Sequence, residues 1–250
     1  MGFRHRISAR SAHLRAVAKP STYRNSELFL VPDGFFSVTP ARTLEQKLSR
    51  LFAKYGSDKS KNHDYHRVYP WILANVPSGP AVEIGLGSNN LDVPSNMGAN
   101  GVPGASLRGW RDIGIFSAVW GADVDRRVLF SEPGIETRFV DQLDSESLEA
   151  LAQELQRQFP DGVALVIDDG LHTAEANTNT IRELWPIVRD GGYLCVEDLE
   201  IEDLHRVLTF VIGNLSDVEW GLWSNVNRGG DNQLLVLRKL LPTDRTSLSP

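Results

Sequence analysis

The chain has 250 residues, of which 41% are hydrophobic and 23% are charged, and its formal net charge is −6 at pH 7. Such a composition is typical of a globular domain, and the acidic balance argues against a general nucleic-acid binder. No apolar run reaches the roughly 20 residues that span a bilayer, so we expect no transmembrane segment and a cytoplasmic protein. The only cysteine, Cys195, excludes an intrachain disulfide and fits a reducing compartment.

The first 26 residues differ from the rest, because they carry six basic side chains and no acidic one. They predict a loosely ordered extension, with a transit-like segment or a surface-binding arm as alternatives. Residues 27–40 surround a Pro-Asp-Gly turn with Leu and Phe and predict a short hairpin or a packed arm. We therefore divide the sequence into a basic extension over 1–40, a main domain over 41–242 and a tail over 243–250.

Helical and strand-like patterns alternate along the main domain. In chain order they predict a helix over 43–55, a helix over 65–76, a strand over 80–84, a helix from about 105, strands over 118–123 and 136–140, a helix over 148–159, a strand over 163–167, a helix over 173–188, a strand over 193–196, a helix over 202–212, and strands over 218–223 and 234–237. Asp144 or Ser145 is expected to cap the helix over 148–159. Gly191-Gly192 is expected to close the helix over 173–188.

This alternation predicts βαβ units with right-handed crossovers. The last two strands are joined by the short turn over 227–232, so we expect them to pair antiparallel. The predicted fold class is α/β, with a Rossmann-like doubly wound sheet that is mostly parallel and has an antiparallel C-terminal strand.

Acidic residues follow two of the predicted strands. Asp168-Asp169-Gly170-Leu171-His172 comes directly after one buried strand, and Glu197-Asp198 follows the next, 28 residues after Asp169. Adjacent parallel strands bring these residues to the same edge of the sheet, where open α/β sheets bind ligands. One Asp alone would equally suit a helix cap, but the whole set favours a site for Mg²⁺, Mn²⁺ or Ca²⁺, which prefer oxygen ligands.

A glycine-rich turn, Glu83-Ile84-Gly85-Leu86-Gly87, follows the first strand of the main domain. Dinucleotide enzymes need G-x-G-x-x-G here to hold a pyrophosphate, whereas this chain has Asn90 in place of the last glycine. The pattern therefore favours S-adenosylmethionine over NAD, with Glu83 facing the methionine ammonium. Asp123, at the end of the second strand, is placed to accept hydrogen bonds from the ribose hydroxyls, and Asp141 is placed near the adenine.

With these motifs the chain resembles the class I S-adenosylmethionine-dependent methyltransferases. More narrowly, it resembles the metal-dependent sugar O-methyltransferases of the macrocin and mycinamicin type and their relatives from polysaccharide clusters. The likeness covers about residues 55–240 and rests on Gly56-Ser57-Asp58-Lys59 with His63 and Tyr65, Glu83-Ile84-Gly85-Leu86-Gly87, Gly104-Ala105-Ser106-Leu107-Arg108-Gly109-Trp110, Gly121-Ala122-Asp123, Asp141-Gln142, Asp168-Asp169-Gly170-Leu171-His172 and Glu197-Asp198.

The resemblance implies a role for each motif. It implies that a magnesium ion is held by Asp169, Glu197 and Asp198, and that His172 is the catalytic base. It also implies a cofactor site formed by Glu83, Gly85, Gly87, Asp123, Asp141 and Gln142. The segment with Asp58, Lys59, His63 and Tyr65 is expected to close over the site, and loop 88–104 is longer than in the macrolide enzymes.

The sequence thus predicts an S-adenosylmethionine- and metal-dependent O-methyltransferase that acts on a hydroxyl of a sugar or glycan-type acceptor. Two alternatives stay open at this point. One is methylation of a phosphorylated, phosphoramidate or small diol metabolite, and the other is a non-catalytic cofactor-binding module on the same fold. The expected partner is a small-molecule or glycan acceptor rather than nucleic acid, and the sequence leaves room for a homo-oligomer.

Overall fold

The structure, a computed structural model, describes residues 14–16, 27–32, 35–225 and 232–245, with side chains for 35–225 and 232–243. Its strands are β1 (Leu14–Ala16), β2 (Glu27–Pro32), β3 (Ala81–Ile84), β4 (Val119–Asp123), β5 (Ser131–Glu132), β6 (Ile135–Phe139), β7 (Val163–Asp168), β8 (Val188–Leu199), β9 (Val218–Asn225) and β10 (Gln233–Lys239). Its α-helices are α1 (Arg42–Tyr55), α2 (Tyr69–Asn75), α3 (Ala105–Ile113), α4 (Ser145–Gln158), α5 (Ala174–Leu184), α6 (Ile201–Asn214) and α7 (Pro242–Arg245).

The described strands form one sheet in the order β1-β2-β9-β10-β8-β7-β3-β4-β6-β5. Its centre, from β8 to β6, is parallel, whereas β10 pairs antiparallel with both β8 and β9. The chain order of the strands reverses at β3, whose neighbours β4 and β7 both follow it in sequence. The predicted α/β sheet with antiparallel pairing at its C-terminal end is confirmed.

Helices pack on both faces of the sheet. On one face, Phe52 of α1, Tyr69 of α2 and Trp110 of α3 pack in one buried cluster, and the Phe52 and Trp110 rings meet edge-on with centroids 4.9 Å apart. On the other face, Leu148 of α4 and Ile181 of α5 belong to a second buried cluster. Because both faces are covered, the central strands are largely buried, and every residue of β3, β4 and β7 is buried.

Two local predictions were wrong. The predicted helix over 65–76 is divided into a 3-10 turn at Tyr65–Arg67 and helix α2, whose first turn contains Pro70. Gly191 and Gly192 do not close a helix, because α5 ends at Leu184 and both glycines lie inside β8. The pairing of β7 with β8 is irregular between Val188 and Tyr193, where both glycines lie, and glycine in a strand often marks such an irregularity. Asp144 is confirmed as the N-cap of α4, since its carboxylate accepts the Glu146 N–H at 3.0 Å.

The N-terminal prediction is only partly covered by the described residues. β2 pairs antiparallel with β1 and with β9, so these strands extend the sheet at this edge. Asp33 and Gly34 of the predicted turn lie outside the described residues, so the hairpin within residues 27–40 stays a prediction. Most of the basic segment, the greater part of the turn over 227–232 and most of the tail over 243–250 lie outside the described residues. Among the residues that are described, no helix is long and apolar enough to cross a membrane.

Candidate active site

The carboxyl ends of the neighbouring strands β3, β7 and β8 carry the acidic residues of the predicted site. Asp168 pairs in register with Ile84 of β3 and with Val196 of β8, so the residues that follow share one edge. The Asp169 N–H donates to the Ile84 carbonyl at 2.8 Å and extends the pairing beyond β7. This edge is next to the point where the strand order reverses, which is the usual ligand site of open α/β sheets.

Asp169, His172 and Asp198 form a compact group at this edge. Each offers a potential metal-ligating atom, and the three atoms lie within 4.8 Å of one another. His172 and Asp198 have positive φ values of 58° and 48°, a conformation that is rare in non-glycine residues and often marks functional positions. The Nδ1 atom of His172 is buried and has no hydrogen-bond partner among the described residues.

Lys59 is buried beneath this group, with 2% of its side chain exposed. Its ammonium lies 2.6 Å from Asp169 Oδ2 and 3.2 Å from Glu83 Oε1, and it also contacts Glu197 Oε2. Burial alone would lower the pKa of Lys59, but the surrounding carboxylates outweigh burial and raise it well above its ordinary value. Lys59 is therefore a permanent positive charge of the site.

Glu197 lies behind the compact group rather than in it. Its carboxylate, 1% exposed, accepts hydrogen bonds from Lys59 through Oε2 and from the Tyr69 hydroxyl through Oε1. Burial raises the pKa of Glu197 well above its ordinary value, although Lys59 opposes this. Burial likewise outweighs Lys59 at Asp169 and raises the pKa of Asp169 to about 6.

Asp198 is held by two aromatic residues from the segment before α2. The Tyr65 hydroxyl donates to Asp198 Oδ1 at 2.6 Å, and the Asp198 N–H donates back to the Tyr65 oxygen at 2.9 Å. His63 contacts Asp198 Oδ1 through Nδ1 at 2.9 Å and Asp58 Oδ2 through Nε2 at 3.6 Å. Burial would lower the pKa of His63, but the two carboxylates raise it to about 11.

Glu83, the acid before the glycine-rich turn, faces inwards. It is 1% exposed, and it accepts hydrogen bonds from the Ser106 hydroxyl at 2.7 Å and from Trp110 Nε1 at 2.6 Å. With its ion pair to Lys59, the carboxylate is already bonded on both oxygens.

The glycine-rich turn approaches the Asp169 backbone closely. Gly85 has a φ of 95°, and a Cβ atom added to it would overlap the Asp169 carbonyl group. Asp123 holds the same turn, because its Oδ2 accepts the Leu86 N–H and its Oδ1 accepts the Asp125 N–H, both at 2.8 Å. Burial raises the pKa of the Asp123 carboxylate.

Gln142 links the loop after β6 to the loop after β7. Its Nε2 donates to Asp168 Oδ1 at 2.7 Å and to Thr180 Oγ1 at 2.8 Å, and its Oε1 accepts the Leu171 N–H at 2.8 Å. Asp168 is fully buried, and its other oxygen, Oδ2, accepts a hydrogen bond from Asn177 Nδ2 at 3.0 Å. Asp141 Oδ1 accepts the Leu143 N–H at 2.9 Å.

Two adjoining cavities open at this edge. The first, of about 250 Å³, is lined by the glycine-rich turn and by the ends of β4, β6 and β7, including Gly85, Gly87, Asp123, Asp141, Gln142 and Leu143. The second, of about 270 Å³, is lined by the compact group and by loop 88–104, including Asp58, Lys59, Asn96, Met97, Asp169, His172 and Asp198. Gly85, Gly87, Ser95 and Asp169 border both cavities, so a molecule in one can touch a molecule in the other.

No family model matches the chain. Over 153 residues, or 61% of its length, the chain is 29% identical to the 8-demethyl-8-alpha-L-rhamnosyl tetracenomycin-C 2'-O-methyltransferase of Streptomyces olivaceus and spans 38% of that protein. It is also 35% identical, over 96 residues, to the demethylmacrocin O-methyltransferase of Streptomyces fradiae, where the match covers 38% of this chain and 23% of the relative.

The MycE methyltransferase from the mycinamycin biosynthetic pathway, in complex with Mg and SAH, matches 78% of this chain and 55% of its own, with a TM-score of 0.54 and 20% sequence identity. The chain has a methyltransferase fold. The predicted resemblance to class I methyltransferases is thereby confirmed, and the similarity in sequence is to sugar O-methyltransferases. The chain spans less than two fifths of the length of these relatives.

The methyltransferase fold brings most of the predicted residues to the two cavities. Gly85, Gly87, Asp123, Asp141 and Gln142 line the first cavity, and Asp169, His172 and Asp198 line the second. Glu83 and Glu197 line neither cavity and instead bind Lys59. Their predicted contacts with the cofactor and the metal stay predictions.

Several contributing residues were not predicted as part of the site. They are Tyr69, Ser106, Trp110 and Asp125. The motif Gly104–Trp110 contains Ser106 and Trp110, but the resemblance to the family assigned no role to either residue. Tyr69 had no such signal, because its contact with Glu197 joins residues 128 positions apart. Lys59 stood in a recognised motif, yet its burial among three carboxylates could not be read from the sequence.

Proposed function

We propose that this methyltransferase fold carries an S-adenosylmethionine-dependent, divalent-metal-dependent O-methyltransferase that acts on a sugar or glycan-type hydroxyl. The observation that supports this most is the compact group of Asp169, His172 and Asp198. It borders a cavity that shares the glycine-rich turn with a second cavity. Cofactor and acceptor would thus meet beside the carboxylates.

S-adenosylmethionine suits the first cavity. Gly85 and Gly87 bring the backbone of the turn to the wall of this cavity, and Asp123 lines the wall at the place of a ribose. Asp141 and Leu143 line the far wall, where the adenine would lie. In this proposal Gln142 keeps the wall in place through its bonds to Asp168 and Leu171. The MycE structure in the comparison is a complex with SAH.

The donor set at the sheet edge suits a hard divalent cation. Glu83, Asp169, Glu197 and Asp198 bring four carboxylates, whereas Lys59 and His63 supply two positive charges beside them. The bonds from Lys59 and Tyr65 fall on Asp169 Oδ2 and Asp198 Oδ1. Asp169 and Asp198 each keep one oxygen outside these bonds, with which they would hold the cation, as carboxylates commonly do. A bound cation of this kind lowers the pKa of an oxygen acid that binds to it.

His172 is the proposed general base. It lines the second cavity, and its Nδ1 has no partner among the described residues. His63, the other histidine beside the carboxylates, is already engaged by Asp198 and Asp58. Proton transfer to the His172 imidazole would increase the nucleophilicity of the acceptor hydroxyl. The two cavities would align this oxygen with the methyl group and exclude water.

The experiment that tests this proposal is transfer of a labelled methyl group from S-adenosylmethionine to a panel of glycosides with vicinal hydroxyls, with Mg²⁺ or with EDTA. We expect transfer with Mg²⁺, loss of transfer with EDTA, and a decrease of about 10²- to 10⁴-fold in His172→Ala, the usual contribution of a general base. His205→Ala is the matched control, because His205 is exposed on α6, and it should retain full activity. Transfer that persists in His172→Ala would contradict the assigned base.

The same panel distinguishes the proposed function from the two alternatives that the sequence left open. It includes phosphorylated sugars and small catechol-type diols beside the neutral glycosides. Methyl transfer only to the phosphorylated sugars, or only to the small diols, would show that the acceptor belongs to that class and is not a neutral glycan. Tight binding of S-adenosylhomocysteine in calorimetry, without transfer to any acceptor, would indicate a non-catalytic binding module.

A further inference from the structure

Loop 88–104, which follows the glycine-rich turn and leads into α3, lies across the border of the two cavities. The first cavity is lined by Val93, Pro94 and Ser95 of this loop, and the second by Ser95, Asn96, Met97 and Val102. The proposed cofactor and metal sites do not involve the side chains of Met97 and Val102. Their place in the lining of the second cavity therefore needs another explanation.

Exposed apolar side chains are concentrated at the two cavities. Met97 is 40% exposed and Val102 is 43% exposed, and both line the second cavity. Val124 and Leu143, which are also exposed, line the first cavity. Among the residues described with side chains, four of the eight exposed large apolar residues thus lie at the site. Scattered exposed apolar residues are ordinary, whereas apolar surface gathered in a cavity indicates contact with a ligand.

The loop holds Met97 against the glycine-rich turn. The Met97 N–H donates to the Ser88 carbonyl at 2.8 Å. Gly87 and Gly101 leave the space that the Met97 side chain fills, because a Cβ atom added to Gly87 would overlap the Met97 sulfur and methyl group, and one added to Gly101 would lie 2.6 Å from Met97 Cβ. Gly87 borders both cavities. The Met97 thioether therefore lies beside the place where the cofactor and the acceptor would meet.

The second cavity has charged and apolar lining residues, which come from different parts of the fold. The segment after α1 and the ends of β7 and β8 bring the charged residues Asp58, Lys59, Asp169, His172 and Asp198. The glycine-rich turn, loop 88–104 and the start of α3 bring the apolar residues Leu86, Met97, Val102 and Ala105. A molecule that fills this cavity is therefore expected to have a polar part and an apolar part.

The polar side chains that loop 88–104 and α3 add to this lining are already engaged. Ser95, Asn96 and Ser106 each donate a hydrogen bond within the protein, at 3.3, 2.8 and 2.7 Å respectively. A hydroxyl that packs against Met97 would thus lose water and find these donors occupied. Burial of a hydroxyl without a compensating hydrogen bond is unfavourable, whereas burial of a methyl group is favourable.

We propose that Met97 is a specificity-determining residue, which selects glycosides that carry a methyl group beside the hydroxyls held at the carboxylates. This inference rests on the proposed function and narrows its acceptor class. The hydroxyls of the acceptor face Asp169 and Asp198, whereas its methyl group packs on the Met97 thioether, a flexible and polarizable contact surface. A hydroxymethyl group in place of the methyl group should lower kcat/KM about tenfold, towards the low end for hydrophobic pockets, because Met97 is 40% exposed.

Matched pairs of acceptors test the inference. Each pair is a methyl 6-deoxyhexoside and the methyl hexoside of the same configuration, in the galacto, gluco and manno series, with S-adenosylmethionine and Mg²⁺. We expect the wild-type chain to favour the 6-deoxy member of the pair that it methylates by about tenfold, and Met97→Gln, which has nearly the same shape, to favour it by less than about threefold. Met97→Leu should keep the preference. Leu91→Gln is the matched control, because Leu91 is 72% exposed on the same loop and lines neither cavity; it should behave as the wild type does. Met97→Gln should still bind S-adenosylhomocysteine and Mn²⁺ normally in calorimetry.

Met97 also reports on acceptor binding directly, because Met1 is the only other methionine of the chain. Protein labelled with ¹³C in its methionine methyl groups gives one signal that Met97→Leu removes, which assigns that signal to Met97. In the presence of S-adenosylhomocysteine and Mg²⁺, the 6-deoxy acceptor should shift this signal. A nuclear Overhauser effect should connect the Met97 methyl group to the methyl group of the acceptor.

The outcomes separate the inference from the proposed function. Methyl transfer at equal kcat/KM to both members of a pair, or a preference that is unchanged in Met97→Gln, would overturn the inference alone. An acceptor that is methylated but leaves the Met97 signal in place would do the same. If Met97→Gln does not fold, the measurement of the Met97 signal in the wild-type chain decides. Absence of transfer to every glycoside would refute the proposed function, and the inference with it.

Discussion

Substitution of Gly85 by alanine should disrupt the site more than any other change of one methyl group in the glycine-rich turn. An alanine Cβ would lie 2.5 Å from the Asp169 carbonyl carbon and 2.9 Å from Gly170 Cα, whereas ordinary contacts begin at 3.4 Å. The two segments must therefore separate by about 1 Å, which at a catalytic group can cost about 10²-fold. The left-handed backbone and the overpacking together should cost about 3 kcal/mol of stability.

Gly114→Ala is the matched control for this prediction. Gly114 has a similar φ of 75°, but a Cβ added there meets no atom within 4 Å. It should therefore lose only about 1 kcal/mol from the left-handed backbone and should bind S-adenosylhomocysteine and Mn²⁺ as the wild-type chain does. Urea unfolding followed by tryptophan fluorescence and calorimetry with both ligands measure the difference. If Gly85→Ala were as stable and bound as tightly as Gly114→Ala, the close approach of the turn to Asp169 would be refuted.

Two further predictions concern residues that hold the loops around the cofactor cavity. Asp125 accepts hydrogen bonds from Arg127, Ser88 and Asn90, and chiefly the Arg127 bond holds its pKa well below the ordinary value of 3.8. The ionised Asp125 carboxylate therefore stabilises the fold fully above pH 3.8, and this stabilisation is lost as the pH falls through and below that value. Asp125→Asn should be less stable than the wild-type chain at pH 7. The difference in the free energy of unfolding between the two should shrink when it is measured from pH 5 down to pH 2. Gln142→Leu should lower the free energy of unfolding by about 3 kcal/mol, because buried Asp168 loses a hydrogen-bond donor. The variant should also bind S-adenosylhomocysteine more weakly. If it were as stable in urea as the wild-type chain, Gln142 would not support the cavity.

The sequence predicted the place of the site because strand patterns are local. Buried runs such as Val163–Asp168 identify a parallel sheet, and the residues at their ends must then share an edge. Asp169, His172 and Asp198 came together as expected for this reason. Gly191 misled the prediction, since glycine marks the end of a helix as readily as an irregular strand.

Which of the acidic residues face the cavities, and which face Lys59, could not be predicted in this way. Whether Glu197 faces a cavity or a lysine depends on Lys59 and Tyr69, which lie 138 and 128 residues away from it in the sequence. Such contacts follow from how α2 and the segment before it pack on the sheet, and no local pattern specifies that packing. The motif around Lys59 indicated that the segment belongs to the site but not which carboxylates it binds.

The most direct measurement of the central claim is a crystal structure of the full chain with S-adenosylhomocysteine and Mn²⁺, with the metal located by its anomalous scattering. The account predicts a Mn²⁺ peak held by Asp169 and Asp198 at the edge of the second cavity, with the nucleoside in the first cavity beside Asp123. A metal peak held elsewhere, or S-adenosylhomocysteine outside the cavity next to the glycine-rich turn, would contradict it.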